Sequence, residues 1–154
     1  MEKKEKKYIR DNRSPIPKNE GVSKVMRANK AKHTKPELLL RKAFWVNGIK
    51  GYRNNYKSIP GRPDITFTKY KIALFINGCF WHRCPTCNYS LPKTNTDFWR
   101  SKFERNVARD KKKNTELKAL GWKVLTIWEC EIKADINKII TLVKKNLNEF
   151  GSNV

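Results

Sequence analysis

The sequence predicts an α/β fold: one mixed sheet flanked by helices and pinned by a metal-bearing loop. Three observations carry it. "KIALFIN" (71–77) is a near-continuous apolar run, as a strand buried on both faces should be. "WKVLTIWE" (122–129) alternates with a period of two, and a long helical stretch separates it from the first run. Between them lies "NGCFWHRCPTCNYS", Asn77 to Ser90, which holds three of the four cysteines beside a Phe-Trp pair and one of two histidines.

Taken in order, residues 1–22 are polar and rich in Lys and Arg, and read as a flexible basic arm. Compact order is expected from "HTKPELLLRKAFWVNGIKGY". Thr34 and Glu37 have the spacing of a capping box, and Pro36 falls in the first turn. Leu38, Leu39, Phe44 and Trp45 supply an apolar stripe, and Gly48 or Gly51 ends the helix. "YRNNY" suits a short strand and "SIPGRP" is turn chemistry. "DITFT" and "KIALFIN" read as strands joined by a turn at Lys69-Tyr70. After the cysteine loop a helix runs from a capping Thr96 to Gly121. Its face is Phe98, Phe103, Val107, Leu117 and Leu120. The last strand sets Trp122, Val124, Thr126 and Trp128 on one side, and "ADINKIITLVKKNLNEF" closes as an amphipathic helix. The order is helix, three strands, helix, strand, helix, without an internal repeat.

At 154 residues the chain is long enough for one domain with a real core. No apolar run approaches the roughly 18 residues of a membrane span. The N-terminus has no apolar segment of the signal-peptide kind, so the expected compartment is the cytoplasm. Disulfides are rare there, and four cysteines read first as metal ligands or reactive thiols. Lys and Arg number 35 against 14 Asp and Glu, a net charge of +21. That potential calls for a polyanion: nucleic acid first, with an anionic membrane surface as the plainer alternative.

Cys79, Cys84 and Cys87 are spaced C-x4-C-x2-C, and Cys130 follows at the end of the last strand. Four thiolates satisfy one tetrahedral structural zinc, which would staple a polar loop to the sheet; His82 is an alternative ligand. "PGRPD" puts Asp64 at a strand start after a rigid turn, where a hard cation such as Mg²⁺ finds carboxylate oxygen. Glu37 is a second acidic group, although capping alone would account for it. His82, in an irregular loop, has the chemistry of a general base for water. Phe80 and Trp81 are adjacent and cannot both face one core if the segment is extended; in a basic protein such rings stack on bases or wedge between them.

"PGRPD", the apolar strand entering "NGCFWH", the helix with "FW" and "NVARD", and "LGWKVLTIWEC" together resemble the very-short-patch repair (Vsr) DNA mismatch endonucleases. "SKVMRANKAKHTKPE" resembles their N-terminal segment, so the likeness covers Ser23 to Glu131 and implies an endonuclease domain over 23–150. The resemblance implies a restriction-endonuclease-like fold of the PD-(D/E)XK type. It implies nicking of one strand at T:G mismatches, which arise when 5-methylcytosine deaminates. It assigns Asp64 and the Ile76 backbone to Mg²⁺, His82 to water activation, Glu37 to support of the site and Asp110 to a place near the metal's water. Met26, Phe80 and Trp81 match residues that insert into the DNA stack, and Lys102 and Asn106 match readers of the mismatched bases. Cys79, Cys84, Cys87 and Cys130 fall on zinc ligands.

The chain departs from the family's better-known members in carrying Ile76-Asn77 where they have Thr-His, and Cys84 where they have a His ligand. "RCPTC" is one residue longer, and the lysine of the usual nuclease motif is absent, as in the family. The implied partners are mismatched duplex DNA, mismatch-repair proteins and a cognate cytosine methyltransferase, met by a monomer. Two other readings compete. One is a restriction-type endonuclease acting on unmismatched DNA. The other is a zinc-containing nucleic-acid-binding protein without catalysis, which leaves "PGRPD" and His82 idle.

Overall fold

Strand β3 (Ile72–Asn77) is buried at every residue because it is covered on both faces and paired on both edges. A computed structural model describes residues 14–151. The sheet runs β1 (Arg53–Asn54), β2 (Ile65–Phe67), β3, β4 (Lys123–Trp128). β2 pairs antiparallel with both β1 and β3, and β3 pairs parallel with β4. A 3-10 turn at Thr68–Tyr70 joins β2 to β3, with Lys71 in the left-handed region.

Alternation along β3 divides the core. Ile72, Leu74 and Ile76 join the larger cluster with Leu40, Phe44 and Val143, contributed by α2 (Lys35–Val46) and α5 (Ile136–Gly151). Ala73 and Phe75 face the other way, onto Leu117 of the 24-residue crossover helix α3 (Thr96–Ala119). Parallel pairing sends the ends of β3 and β4 to the same edge, with Asn77 opposite Trp128. The chain leaving each strand there carries cysteines. Antiparallel pairing brings Asp64, at the start of β2, to that same edge. The topology therefore gathers every singled-out loop at one end of the sheet.

Several expectations are corrected. Order begins before His33: helix α1 (Glu20–Ala28) forms, capped by the Asn19 side chain, which accepts from the Val22 N–H at 2.9 Å. The arm boundary expected after residue 22 falls inside it, and residues 1–13 lie outside the described residues. It buries none of its own residues, which is why no stripe announced it. On α2, Leu38, Leu39 and Trp45 are exposed, at 52%, 41% and 73%. The buried stripe is Glu37, Leu40 and Phe44, at helical spacing but interrupted by a charge. Thr34 and Glu37 do not form a reciprocal box. Thr34 donates its hydroxyl to Glu37 Oε1 at 2.8 Å, and Oε2 accepts the His33 N–H at 2.9 Å.

Asn95, not Thr96, occupies the cap of α3, and Val107 and Leu120 are exposed. In β4, Thr126 is exposed and Ile127 enters the core from the opposite face. A further helix, α4 (Glu129–Ala134), follows β4 directly, so Cys130 lies in a helical turn rather than on the strand. The Glu131 side chain accepts the Trp128 N–H at 2.8 Å and starts that helix.

Candidate active site

The turn Pro60-Gly61-Arg62-Pro63 holds Gly61 at φ 79° and Arg62 at φ 48° and delivers Asp64 to the sheet edge. There Asp64 Oδ2 accepts the Ile76 N–H at 2.7 Å. Burial pushes the Asp64 carboxyl up to about 6, and the charge of Glu37 pushes the same way. The Ile76 N–H, Lys113 and His82 pull against both. Glu37 itself is buried and bonds Arg41 at 3.3 Å. Two carboxylates crowding one wall are what a divalent cation relieves, so this donor set fits one.

Asp64 and Glu37 open onto a cleft of about 1100 Å³. Met26 of α1, Trp81 and His82 of the cysteine loop, and Lys102 of α3 line it too. Ile76 also lines it, and its N–H orients Asp64. Phe80, Asn106 and Asp110 do not line the cleft, but each contacts a residue that does.

His82 is fixed from both ends. Its backbone N–H donates to the Gly78 carbonyl at 3.1 Å, and its Nδ1 lies 2.5 Å from Asp110 Oδ2 on α3. Burial works against charge on Asp110, but the hydrogen bond and charge of His82, with Lys113, outweigh it and hold the carboxyl below its ordinary value. An ionised Asp110 accepts from Nδ1–H, which leaves the Nε2 lone pair as the basic site of the ring.

The two aromatics separate. Phe80 meets Phe103 at 5.1 Å, Trp99 at 6.0 Å and Tyr89 at 6.3 Å, all edge-to-face, and belongs to an inner cluster. Trp81 faces the cleft, supported edge-on by Phe80 at 5.2 Å and by Trp99 at 5.8 Å. Lys102 Nζ sits 5.3 Å from the centre of the Trp81 ring, and Asn106 Nδ2 donates to the Trp81 carbonyl at 3.0 Å. In this structure both residues brace Trp81.

The four cysteine sulfurs lie within 4.8 Å of one another. Tetrahedral coordination at about 2.3 Å sets sulfurs about 3.8 Å apart. Cys84 and Cys130 Sγ are 3.8 Å apart. Burial raises the Cys79 thiol to about 12. Burial also opposes ionisation of Cys84, but N–H groups of Cys87 and Thr86 prevail and bring it down to about 7. Backbone donors aimed at a thiolate and four convergent sulfurs fit a soft divalent metal. Among the described residues this group contains the four thiols and not His82, whose ring is committed to Asp110.

Arg62, Lys113 and Glu129 are among the cleft residues that the sequence reading did not single out. Lys113 was legible as the i,i+3 partner of Asp110, which it contacts at 3.4 Å. Arg62 sits inside a motif read for its neighbours, and Glu129 inside an alternating strand pattern.

Comparison with known proteins places the chain in a family. Residues 16–88 match the family described as DNA mismatch endonuclease Vsr. The type II nicking enzyme V.NmeAIP of Neisseria meningitidis serogroup A is 46% identical over 123 residues, 79% of this chain and 84% of the relative. The type II nicking enzyme V.HpaIIP of Haemophilus parainfluenzae is 43% identical over 129 residues, 82% of this chain and 90% of the relative. The DNA mismatch endonuclease Vsr of Escherichia coli is 38% identical over 111 residues, 72% and 70% of the two chains. On these matches the chain belongs to the Vsr DNA mismatch endonuclease family and is a DNA endonuclease.

Proposed function

We propose that the protein nicks one strand of duplex DNA beside a T:G mismatch, with Mg²⁺ at Asp64 and zinc on Cys79, Cys84, Cys87 and Cys130. The observation that carries this reading is His82, oriented by its bond to Asp110, lining the same cleft as Asp64. The sheet order and the crossover helix suit a restriction-endonuclease-like fold. A cation bound by Asp64 and the Ile76 backbone supplies countercharge to the scissile phosphate. His82 Nε2 takes a proton from a water, whose oxygen bonds to phosphorus as one phosphorus–sugar oxygen bond breaks. Asp110 keeps the ring in the tautomer that can do so and stabilises the imidazolium that results. Glu37 adds negative charge behind Asp64.

Selection of the mismatch falls to Trp81 and Met26 on the cleft walls. Opening a base step costs a few kcal/mol, least at a mismatch, so a wedge favours T:G sites. Phe80 acts as the backstop of that wedge. Lys102 and Asn106 hold Trp81 until bases replace these contacts. The net charge of +21 supports tight, salt-sensitive docking on the backbone.

The test is a nicking assay on T:G and matched duplexes, with and without Mg²⁺. Metal-dependent nicking confined to T:G duplexes is expected. Equal nicking of matched DNA indicates a restriction-type specificity, and binding without cleavage indicates a non-catalytic zinc protein.

A further inference from the structure

Two cations stand on the Asp64 wall of the cleft, and neither takes part in the proton transfer. Arg62 is the first. Its φ of 48° lies in the left-handed region, which a long side chain enters only under strain. The proline that follows makes helical-type conformations less favourable still. Its side chain is exposed and lines the cleft, and no carboxylate among the described residues pairs with it. Lys113 is the second. It reaches the same cleft from α3, with its ammonium 3.4 Å from Asp110 Oδ1 and 5.4 Å from the Phe75 ring centre. Asp110 already serves His82 through its other oxygen, so the ammonium shares its counterion.

Turn and helix interlock. A Cβ on Gly61 would lie 2.9 Å from Cγ and Cδ of Lys113, so the turn closes on the lysine stem only because residue 61 is glycine. That contact fixes the residue after Gly61 relative to Lys113. Strain of the Arg62 kind persists where the surrounding structure enforces it, and such positions cluster at ligand sites.

We propose that Arg62 and Lys113 together clamp the scissile phosphate from the Asp64 side. The inference rests on the reading of this cleft as the nicking site. Arginine offers a planar fork to two phosphate oxygens and lysine a point charge, a complementary pair for a group that gains negative charge in its transition state.

Arg62→Gly removes the cation and suits the local φ; Lys113→Met keeps a stem against Gly61. For each, the salt dependence of binding to a T:G duplex is measured without Mg²⁺, and single-turnover nicking is measured with it. Loss of one phosphate contact lowers the slope of log K against log salt by about 0.9. That change, a fall of about tenfold or more in nicking at saturating DNA, and a melting temperature no lower than that of the wild type are expected for both. Arg62→Lys should restore the slope and part of the rate. An unchanged slope in either variant, or losses that track a lower melting temperature, overturns the clamp. A wild-type chain that fails to nick in the same reactions refutes the reading of the cleft instead; a nicking wild type beside unaffected variants refutes the clamp alone.

Discussion

His82 Nδ1 and Asp110 Oδ2 are 2.5 Å apart, joining the cysteine loop to the middle of helix α3 across 28 positions of sequence. The bond links the proposed base to the element that spans the parallel strands, so the ring keeps its orientation only while loop and helix stay in register.

His82→Ala is therefore expected to bind T:G DNA with near wild-type affinity and to nick about 100-fold or more slowly, the scale of a lost general base. Asp110→Asn should cost less binding than rate as well, because an amide can hold the ring in the wrong tautomer. Equilibrium binding and single-turnover nicking of both variants check this. Wild-type rates in Asp110→Asn would detach Asp110 from the chemistry.

Asp64 gives a pH signature. Its carboxyl moves from an ordinary 3.8 to about 6 in the metal-free fold. Between those values the unfolded chain has released the proton and the folded chain keeps it, so stability from this group falls as pH rises. It is fully present below about pH 4 and gone above about pH 6, a difference of at most about 3 kcal/mol. Asp64→Asn still accepts the Ile76 N–H and never bears the charge. Denaturant unfolding with Mg²⁺ excluded should show the variant equal to wild type near pH 4 and more stable near pH 7.5. The same variant should lose Mg²⁺-dependent nicking. Equal stability at both pH values would show that the carboxylate is not under the strain described.

The four thiols predict about one zinc per chain by elemental analysis. Chelation should lower the melting temperature, since three ligands come from a loop with little core of its own and binding energy there is folding energy. Ligands must deprotonate, so zinc affinity should fall with pH, with Cys84 the ligand readiest to ionise. Metal-free protein with full thermal stability would dismiss the site.

Strand β3, the "PGRPD" turn and the four-cysteine group could be read in the sequence because each is a local pattern: an apolar run, a rigid turn, a spacing. What could not be read was non-local or broke its own pattern. The buried face of α2 runs through Glu37, a charge tolerated only because His33, Thr34 and Arg41 satisfy it, so Leu38 and Leu39 drew attention instead. Helix α1 packs no residue into the core and left no stripe to find. The partnership of His82 with Asp110, and the presence of Lys113 and Arg62 beside Asp64, depend on where a 24-residue crossover helix lies against the sheet edge.

Phe80 and Trp81 are neighbours in sequence with opposite surroundings, and substitution should separate them. Phe80 contacts Phe103, Trp99 and Tyr89 edge-on inside the aromatic cluster. Phe80→Ala removes ring contacts from a well-packed group and is expected to lower stability by about 2 kcal/mol, below the full cost at a completely buried site because Phe80 is only half-buried. Its effect on DNA should be secondary and similar for T:G and matched duplexes. Trp81 lines the cleft and owes its position to Trp99, the Lys102 ammonium and the Asn106 amide. Trp81→Ala should cost less stability and more discrimination. A stacked ring is worth about 1–3 kcal/mol per base, and a wedge recovers most where the step is already weakened, so T:G affinity should fall about tenfold or more while matched DNA, held through phosphates, changes little. Asn106→Ala should reproduce part of that loss by freeing the Trp81 backbone. The measurement is the ratio of T:G to matched affinity at one fixed salt concentration, with thermal melts of the same preparations. If Trp81→Ala leaves the ratio unchanged and Phe80→Ala abolishes it, the wedge is the inner ring, and the loop must open on DNA to expose it.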